Sequence, residues 1–388
     1  MNSKVDVKEI CYPYHLKKDK LINLGSFYTS DKYVKIVWDF IKPFIDKNTV
    51  ILDPACGYGA FLKEKTTAKK IGNDIDKEAI KKAKIYANDV TYFNYNALLV
   101  FERRAYSIKD NEKLIIIGNP PYNDITSQAK KNIKKLDFNI DKKLKTRDVG
   151  ISFLRMFHYL KADYICVLHP LSYLIKKANF RLLKCFKDNY ILKKGIIISS
   201  KVFHSTSKSS EFPIIIALYE RNSNGMSYNY IKNYKFQTIE GKTFRLRDFD
   251  YIGNYINKYP KKNETFSKED ILFYTLRDIN ALKRNKTFID KPNSNAIKVN
   301  LQQLDYYVYV DVFKDFINVV PYYLGNLDVI IDTNLFSRYK KYFISYALRK
   351  REFLKKYYQQ NFYTNDTQQI KQYFKELLKE HYNENTKS

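Results

Sequence analysis

The sequence predicts an α/β protein built on a mostly parallel sheet with helices on both of its faces. Three observations support this class. From about residue 32 to residue 220, short apolar runs alternate with amphipathic stretches. Two of the apolar runs end abruptly, one at a glycine-containing turn and one at two consecutive prolines. The 388-residue chain is 45% hydrophobic and 16% aromatic, which is enough for two domains with cores of their own.

The predicted elements alternate along the chain. The first helix, KYVKIVWDFIKPFI, places Val34, Val37, Trp38 and Ile41 on one apolar face. Strands are predicted at TVILD, AKKIGNDID, EKLIIIG, ADYICVLHP, GIIISS and FPIIIALYE. Further helices are predicted after the glycine turn of DPACGYGAFL, at KEAIKKAKIYA and at ISFLRMFHYLK. Sheets of this kind bind ligands at the carboxyl ends of their strands, which is where the unusual residues of this sequence fall.

A turn-rich polar stretch, RNSNGMSYNY, marks a predicted boundary between domains 1–221 and 222–388. Beyond it lie tyrosine-rich, irregular segments and a helical tail from about Asn334 to His381. The formal net charge is +28, with 69 Lys and Arg against 41 Asp and Glu. Residues 1–220 have 40 basic and 23 acidic residues, and residues 221–388 have 29 and 18. This excess of basic residues favours a polyanionic partner, and it favours a nucleic acid over a membrane surface. The alternative explanation is a codon usage rich in lysine.

Cysteine usage and hydropathy exclude several classes. The four cysteines, Cys11, Cys56, Cys166 and Cys185, form no CxxC pair and have no histidine at ligand spacing, so we expect neither a disulfide framework nor a metal site. No apolar run approaches the ~18 residues of a membrane span, and the N-terminal residues lack the apolar stretch of a signal peptide. We expect a soluble, cytoplasmic protein with no membrane partner.

The glycine-containing turn DPACGYG, residues 53–59, follows a strand and precedes a predicted helix. Glycines let a backbone pass close to a ligand, and an acidic residue at a strand end suits a cationic group or a hydroxyl. The turn lacks the Gly-Lys-Ser/Thr ending of a Walker loop and the GxGxxG of a dinucleotide-binding turn. A tight turn required only for packing is the alternative interpretation.

Two acidic residues end the next strand, in GNDID. Asp74 lies about 20 residues after the glycine turn, a spacing at which a carboxylate accepts hydrogen bonds from ribose hydroxyls. Asp76 directly precedes the helix KEAIKKAKIYA, so we assign it to the N-cap of that helix.

The sequence Asn119-Pro120-Pro121-Tyr122 is the most specific signal in the chain. Two prolines do not continue a sheet ladder, so the chain leaves the strand there as a rigid, extended loop. The loop places an amide side chain, a backbone carbonyl and an aromatic ring next to one another. The two oxygens together accept two hydrogen bonds from one exocyclic amino group, while the ring stacks on the attached heterocycle.

From residue 25 to about residue 220 the chain resembles the S-adenosylmethionine-dependent DNA methyltransferases of the N6-adenine type with the gamma order of motifs. GSFYT resembles their N-terminal cofactor motif, DPACGYG the methionine-binding turn, GNDID the ribose-binding strand and GNPPY the catalytic loop. KVFHSTSKSSEFPIIIAL resembles the last hairpin of their sheet. The sequence departs from the family pattern at Asn96, where an aspartate is usual, and at Ser30, where a proline is usual.

The resemblance implies a fold, a cofactor and a set of site residues. The fold is α/β: a Rossmann-like seven-stranded methyltransferase sheet with a C-terminal α+β target-recognition domain. The cofactor is S-adenosyl-L-methionine, and no metal is implied. The residues implied to bind the cofactor are Phe27, Tyr28, Thr29, Asp53, Ala55, Cys56, Gly57, Gly59, Asp74, Ile75, Asn96 and Ala97.

The resemblance also implies that the target adenine is flipped out of the duplex and read by the catalytic loop. The implied catalytic residues are Asn119, Pro120, Pro121, Tyr122 and Phe203. Asn119 and the Pro120 carbonyl accept the two amino protons, and Tyr122 stacks on the base. Phe203 covers the other face, with Phe212 as the alternative, and a core role is open for both phenylalanines.

A cluster of basic residues follows the catalytic loop, and we expect it to contact DNA phosphates, with an ordinary solvated surface as the alternative. Its members are Lys130, Lys131, Lys134, Lys135, Lys142, Lys143, Lys145 and Arg147. The expected partner is double-stranded DNA, bound by a monomer. Only 24 residues precede the first cofactor motif, so we expect any cleavage activity to belong to a separate cognate restriction endonuclease.

Other functions stay open at this point. A loop of the same type occurs in enzymes that methylate an RNA base or a protein glutamine, and N4-cytosine methylation uses similar chemistry. A nucleic-acid-binding module whose enzymatic half has decayed is an alternative of another class. The intact catalytic loop, the glycine turn and Asp74 argue against decay.

Overall fold

The computed structural model describes residues 29–122, 139–203, 211–359 and 362–384. The chain divides into two compact units, Met1–Thr243 and Phe244–Ser388. The division lies after residue 243 instead of residue 221, because residues that follow the turn at 222–227 add a helix and a strand to the first unit.

A nine-stranded sheet forms the centre of the first unit, in the order β3-β2-β1-β4-β5-β7-β6-β8-β9. The strands β1 to β5 are parallel to one another, β7 is antiparallel to its neighbours β5 and β6, and β8 is parallel to β6. In chain order, the strands are β1 Thr49–Asp53, β2 Lys69–Asn73, β3 Thr91–Phe93, β4 Lys113–Gly118, β5 Tyr164–Pro170, β6 Tyr190–Ser199, β7 Pro213–Arg221, β8 Phe236–Thr238 and β9 Thr243–Phe244.

This topology confirms the α/β class with a Rossmann-like, mostly parallel sheet. The described residues form nine strands in this sheet, two more than the seven predicted. The additional strands β8 and β9 have only three and two residues, too few for a periodic pattern to predict them. They extend the sheet by pairing, with Ile196 of β6 opposite Gln237 of β8.

Seven helices accompany the sheet within the described ranges of the first unit. They are α1 Asp31–Ile41, α2 Lys77–Tyr86, α3 Val149–Tyr159, α4 Ser172–Ile175, α5 Lys177–Leu182, α6 Cys185–Asn189 and α7 Tyr228–Asn233. The predicted apolar face of α1 is confirmed, because Val34, Val37, Trp38 and Ile41 are all buried. The central strand β4 is buried from Leu114 to Gly118, as expected for a strand covered on both faces.

The helix predicted directly after the glycine turn is only a single 3-10 turn, Ala60–Leu62. Gly59 precedes it in a left-handed conformation, with φ of +77°. The buried Lys70 ammonium then donates to the carbonyl oxygens of Leu62 and Glu64, at 2.8 and 3.0 Å. These carbonyls therefore bond to a side chain instead of continuing a helical ladder.

The second unit contains short strands and longer helices. Its strands are β10 Asp250–Tyr251, β11 Leu272–Tyr274, β12 Phe288–Ile289, β13 Ala296–Lys298 and β14 Ile330–Ile331. Its helices are α8 Ile279–Leu282, α9 Leu304–Asp315, α10 Thr333–Lys350 and α11 Asp366–Leu378. The predicted helical tail is confirmed as α10 and α11. Their packing buries an aromatic cluster that includes Tyr309, Phe343 and Tyr373.

Among the helices of the described residues, none has the length and apolar character needed to cross a membrane.

A buried ion pair joins the end of α10 to α9. Asp311 is fully buried and accepts hydrogen bonds from the Arg351 guanidinium, from Nη2 at 2.7 Å and from Nε at 3.1 Å. Burial raises the pKa of Asp311, but the bonds from Arg351 and the charge of Lys350 hold it below its ordinary value. Asp311 is therefore a buried carboxylate that depends on its cationic partners.

We predict that Arg351→Met lowers the free energy of unfolding by on the order of 3 kcal/mol, because it leaves Asp311 buried without its bidentate partner. Urea denaturation monitored by circular dichroism measures the change. Lys355→Met is the matched control, since Lys355 pairs with the exposed Glu352 and its loss is expected to cost less than about 1 kcal/mol. Equal shifts for the two variants would contradict the prediction.

Candidate active site

Three loops meet at the carboxyl edge of the sheet. Strand β1 lies between β2 and β4 and is parallel to both, with Asp53 opposite Gly72 and Leu52 opposite Ile116. The turn after β1, the acidic segment after β2 and the proline loop after β4 therefore all leave the sheet on the same side. Ala55, Gly57, Asp74, Asn119 and Pro121 each keep part of their surface exposed there.

The turn after β1 is held open by glycine and by backbone bonds. Gly57 has φ of +51°, and a Cβ atom added to it would meet nothing within 4 Å, so the space above this residue is clear. The Cys56 amide donates to the Asn73 carbonyl at 2.8 Å. Burial raises the pKa of the Cys56 thiol well above its ordinary value, which is unsuitable for a nucleophile.

Asp74 connects the first two loops. Its Oδ2 accepts from the Gly57 amide at 2.8 Å, and its Oδ1 accepts from the Asp76 amide at 2.8 Å. Burial raises the pKa of Asp74 to about 6, and these backbone bonds oppose the rise. The predicted N-cap is confirmed: the Asp76 carboxylate accepts from the amides of Glu78 and Ala79, at 2.9 and 3.4 Å.

Asn73 is a site residue that the sequence reasoning missed. It is fully buried, and its Nδ2 donates to the carbonyls of Pro54 and Tyr95, at 3.0 and 3.1 Å. Its Oδ1 accepts from the Tyr95 amide at 2.9 Å. One side chain thus ties the loops after β1, β2 and β3 together. The sequence signal that could have identified Asn73 is an asparagine at the end of an apolar strand, because a buried amide group needs several hydrogen-bond partners.

Asp53 is buried and incompletely satisfied. It is 1% exposed, and its Oδ1 accepts from the Ala55 amide at 3.2 Å. Its Oδ2 is buried without a hydrogen-bond partner among the residues that the structure describes. Burial raises the pKa of Asp53 well above its ordinary value, and the nearby charge of Asp74 raises it further. A buried acceptor in this condition is costly unless a ligand supplies the donor.

The proline loop approaches Asp53 through Gly118. This glycine has φ of +136°, and a Cβ atom added to it would lie 2.6 Å from Asp53 Oδ1. Only glycine fits this conformation and this distance. Gly118, the residue directly before the proline loop, therefore lets that loop lie against the Asp53 carboxylate of the glycine turn.

Asn119 is oriented by a residue that precedes α1. Its Nδ2 donates to Thr29 Oγ1 at 3.2 Å, and Thr29 is 2% exposed. Its Oδ1 is buried and has no hydrogen-bond partner within the described ranges. The structure therefore brings Thr29, predicted as a cofactor residue, next to the predicted catalytic amide.

Tyr122 is buried against the start of α3, with 8% of its surface exposed. A Cβ atom added to Gly150 of α3 would lie 2.9 Å from Tyr122 Cβ and 2.5 Å from the Tyr173 hydroxyl. The Tyr173 hydroxyl donates to Asp148, which caps α3 by accepting from the Gly150 amide at 3.0 Å. Burial raises the pKa of Tyr122, and a hydrogen bond with Asn119 opposes the rise.

Behind this cap lies a buried histidine. The His169 ring stacks on Tyr173 with centroids 5.4 Å apart and an interplanar angle of 8°. Its Nδ1 lies 3.0 Å from the Pro170 carbonyl oxygen and its Nε2 lies 2.7 Å from the Tyr219 hydroxyl. Burial lowers the pKa of His169 to about 4, so the ring is neutral at pH 7 and serves as packing support.

The remaining predicted cofactor residues lie near the loop after β3. Asn96 Nδ2 donates to the Asn139 carbonyl at 2.8 Å, and Asn96 Oδ1 accepts from the Leu98 amide at 3.0 Å. Ala97 is 4% exposed, whereas Ile75 is 55% exposed beside Asp74. Both groups of the Asn96 amide thus bind the backbone, and of the two predicted apolar residues, Ile75 and Ala97, Ile75 is the exposed one.

The late hairpin places the two candidate aromatic residues differently. Phe203 is 2% exposed, while Phe212 is half-buried and its amide donates to Ser200 Oγ at 3.0 Å. Exposure therefore favours Phe212, the alternative of the sequence interpretation, over Phe203 as a residue that meets a ligand.

Several predicted residues lie outside the described residues: Phe27, Tyr28, Lys130, Lys131, Lys134 and Lys135. The other members of the basic cluster, Lys142, Lys143, Lys145 and Arg147, are exposed just before α3. No group of three or more His, Cys, Asp or Glu side chains arranged to hold a metal ion occurs in the described part of the chain.

No protein-family model and no curated protein matches the chain. Solved structures do resemble it. One, from Vibrio vulnificus, is named provisionally as a modification subunit of a type I restriction enzyme; it is 14% identical, with a TM-score of 0.40, over 80% of this chain and 61% of its own.

Two others align with about half of this chain. A structure from Listeria monocytogenes, named provisionally as a class I S-adenosylmethionine-dependent methyltransferase, is 17% identical over 55% of this chain and 66% of its own, with a TM-score of 0.39. A dimethyladenosine transferase from Plasmodium falciparum is 14% identical over 50% and 62%, with a TM-score of 0.34. This chain spans less than two thirds of each of the three proteins. At these identities and TM-scores, the similarities establish no activity for it.

We predict that Gly118→Ala lowers the free energy of unfolding by about 2–3 kcal/mol, because the new methyl group collides with Asp53 and the backbone is strained. Gly241→Ala is the matched control: Gly241 also has positive φ, +87°, but a Cβ atom there meets nothing within 4 Å, so about 1 kcal/mol is expected. Urea unfolding of both variants measures the difference, and equal losses would show that the contact with Asp53 is relaxed.

Proposed function

We propose that this chain is a DNA adenine-N6 methyltransferase, which transfers a methyl group from S-adenosylmethionine to a flipped adenine, and that it is the modification enzyme of a restriction-modification system. The observation that supports this most is the pair of buried oxygens, Asp53 Oδ2 and Asn119 Oδ1. Neither has a hydrogen-bond partner among the described residues, and they follow adjacent strands. Two such acceptors at one edge of the sheet suit ligands that bring N–H donors.

The residues of the first two loops fit S-adenosylmethionine. The clear space above Gly57 leaves room for a ligand against the backbone of the turn. Asp53 Oδ2 is a suitable acceptor for the ammonium of its methionine part. Each Asp74 oxygen already accepts one backbone bond and has capacity for another, as ribose hydroxyls require. The bound cofactor supplies the electrophilic methyl group.

The catalytic loop supplies the acceptors for the other substrate. Asn119 Oδ1 and the Pro120 carbonyl oxygen accept hydrogen bonds from the two N–H groups of an adenine amino group, which shifts the nitrogen toward tetrahedral geometry. Its lone pair is then directed at the methyl carbon instead of being delocalised into the ring. The new nitrogen–carbon bond would form as the carbon–sulfur bond of the cofactor breaks, and the methylated nitrogen would then release one proton to water. No covalent enzyme intermediate is needed, so positioning and electrostatics provide the rate.

Base stacking is assigned to Tyr122. The ring is covered in this structure, so the proposal requires that one of its faces becomes accessible when the target base enters. Asn119 and Tyr122 belong to one rigid loop, so amide and ring stay near each other, which suits one planar base bound at its edge and at its face.

The proposed partner is double-stranded DNA bound by a monomer, with a separate cognate endonuclease where the system includes cleavage. The net charge of +28 supports a polyanionic partner. Lys142, Lys143 and Lys145 are exposed in the segment before α3, and the first turn of α3 contacts Tyr122. This position supports their assignment to phosphates around a flipped base.

The test is expression in a host that lacks DNA methylation, followed by sequencing of the host DNA with detection of modified bases. The proposal expects N6-methyladenine at one recurring sequence. N4-methylcytosine in the host DNA would change the assigned activity from adenine-N6 to cytosine-N4 methylation. Unmodified DNA together with methylated RNA or protein glutamine in the same cells would overturn the DNA assignment.

We predict that Asn119→Ala lowers the rate of methyl transfer at least 10³-fold while DNA affinity changes less than about threefold, because the amide acts on the transition state. Single-turnover transfer of a labelled methyl group measures the rate, and fluorescence anisotropy measures DNA binding. Asn48→Ala is the control, since Asn48 lies at the opposite end of β1. An active Asn119→Ala variant would remove the proposed role.

We predict that cofactor binding weakens as the pH falls below about 6. The raised pKa of Asp74 means that its carboxyl becomes protonated through this range, and a protonated oxygen no longer accepts from a ribose hydroxyl. Because burial also raises the pKa of Asp53, the informative quantity is the difference between the wild type and Asp74→Asn. Calorimetric titrations of the cofactor from pH 8 down to pH 5 should show a steeper loss of cofactor affinity for the wild type than for Asp74→Asn. Parallel profiles for the two proteins would show that Asp74 is not the group whose protonation weakens binding.

A further inference from the structure

We propose that Thr29 is a positioning residue that sets the orientation of the Asn119 amide, so that its oxygen and not its nitrogen faces the reacting amino group. The inference rests on the proposed function, since it assigns how the catalytic amide is presented. It differs from the cofactor contact that the sequence motif implies for Thr29, and the two roles make different predictions.

In the structure the nitrogen end of the Asn119 amide faces Thr29. An amide nitrogen only donates, so the Thr29 hydroxyl is the acceptor in this contact. Asn119 Nδ2 lies 3.2 Å from Thr29 Oγ1, so the nitrogen donates to the hydroxyl. The opposite end, Oδ1, is then the group that remains without a partner among the described residues. Thr29 is 2% exposed, and the partly buried bond is shielded from water on the threonine side.

The orientation matters because the two ends of an amide have opposite hydrogen-bonding character. With Oδ1 toward the substrate, Asn119 accepts a hydrogen bond from an N–H group of the amino group. With the amide rotated by half a turn, Nδ2 would point its two N–H groups at the N–H groups of the substrate. That arrangement stabilises neither the bound amine nor the positive charge that develops as nitrogen attacks.

Thr29 is itself held by a rigid element. It lies two residues before α1, whose first turn closes with the amides of Tyr33 and Val34 donating to the Ser30 carbonyl at 2.9 and 3.2 Å. Trp38 of α1 donates through Nε1 to the Phe61 carbonyl at 2.9 Å, which anchors the helix to the segment after the glycine turn. The hydroxyl therefore has a fixed position relative to both the glycine turn and the catalytic loop.

The test compares Thr29→Val, which replaces the hydroxyl with a methyl group of similar shape, with Thr29→Ser, which keeps it. Thr49→Val is the matched control, because Thr49 is also buried and hydrogen-bonded through its hydroxyl, to Asp46, but lies at the other end of β1. For each protein, single-turnover methyl transfer gives the rate and calorimetry gives the cofactor Kd. Side-chain ¹H–¹⁵N spectra, assigned with an Asn119→Asp sample, report on the Asn119 amide.

The proposal expects Thr29→Val to lower the single-turnover rate at least about tenfold, as for the loss of one buried hydrogen bond, with the cofactor Kd changed less than twofold. Thr29→Ser should recover the rate to within about threefold of the wild type. The Asn119 side-chain resonances should move in Thr29→Val and stay in place in Thr29→Ser and Thr49→Val. A raised cofactor Kd with an unchanged transfer rate would overturn the proposal in favour of a cofactor contact.

Failure of this proposal is separable from failure of the proposed function. The ¹H–¹⁵N spectra need neither substrate nor cofactor, so they test the contact between Thr29 and Asn119 even if DNA is the wrong substrate. If the wild type methylates DNA and Thr29→Val does so at the same rate, the positioning role fails and the proposed function stands. If resonances move as expected but DNA is never methylated, the contact stands and the DNA assignment fails.

Discussion

The approach of Gly118 to the Asp53 carboxylate is the contact on which the arrangement of this site depends. The loop after β4 comes so close to the carboxylate that ends β1 that a Cβ atom added to Gly118 would lie only 2.6 Å from Asp53 Oδ1. Any larger residue would push the two loops apart. With glycine, Asp53 Oδ2 and Asn119 Oδ1 become buried acceptors at one edge of the sheet, and the cost of leaving them unsatisfied is what favours a ligand there.

The rigid support of the catalytic loop comes from residues that take no part in the proposed chemistry. Tyr122 packs against Gly150, and Gly150 lies in the first turn of α3, which Asp148 caps and Tyr173 braces. The neutral His169 stacks behind Tyr173. Each contact restricts the next, so the position of the Tyr122 ring is determined from deep inside the first unit. These contacts fix the backbone around Tyr122, while a face of its ring still has to be uncovered before a base stacks on it.

Sequence patterns predicted the sheet and most of the site loops because those features are local. An apolar run that ends in Asn-Pro-Pro-Tyr predicts a strand followed by a loop, and an aspartate directly before a helix predicts an N-cap, from consecutive residues alone. Thr29 is 90 residues from Asn119, and Asn73 is 22 residues from Tyr95, so no local pattern indicates that they meet. The strands β8 and β9 escaped prediction for a different reason: strands of three and two residues are stabilised by pairing with a neighbour and not by a pattern of their own.

The electrostatics of the site run opposite to those of the chain as a whole. A protein with a net charge of +28 has two carboxyl groups, Asp53 and Asp74, close together at this edge of the sheet. The charge of Asp74 raises the pKa of Asp53, and both charges raise the pKa of the Cys56 thiol, in addition to the effect of burial. A cationic ligand at this edge removes that penalty, since it stabilises the ionised forms that burial opposes. In the proposed function, the basic charge of the chain attracts a polyanion and the two carboxyl groups attract a cation. One chain therefore distinguishes its two proposed ligands by charge before any shape is compared, and neither ligand competes for the other's position.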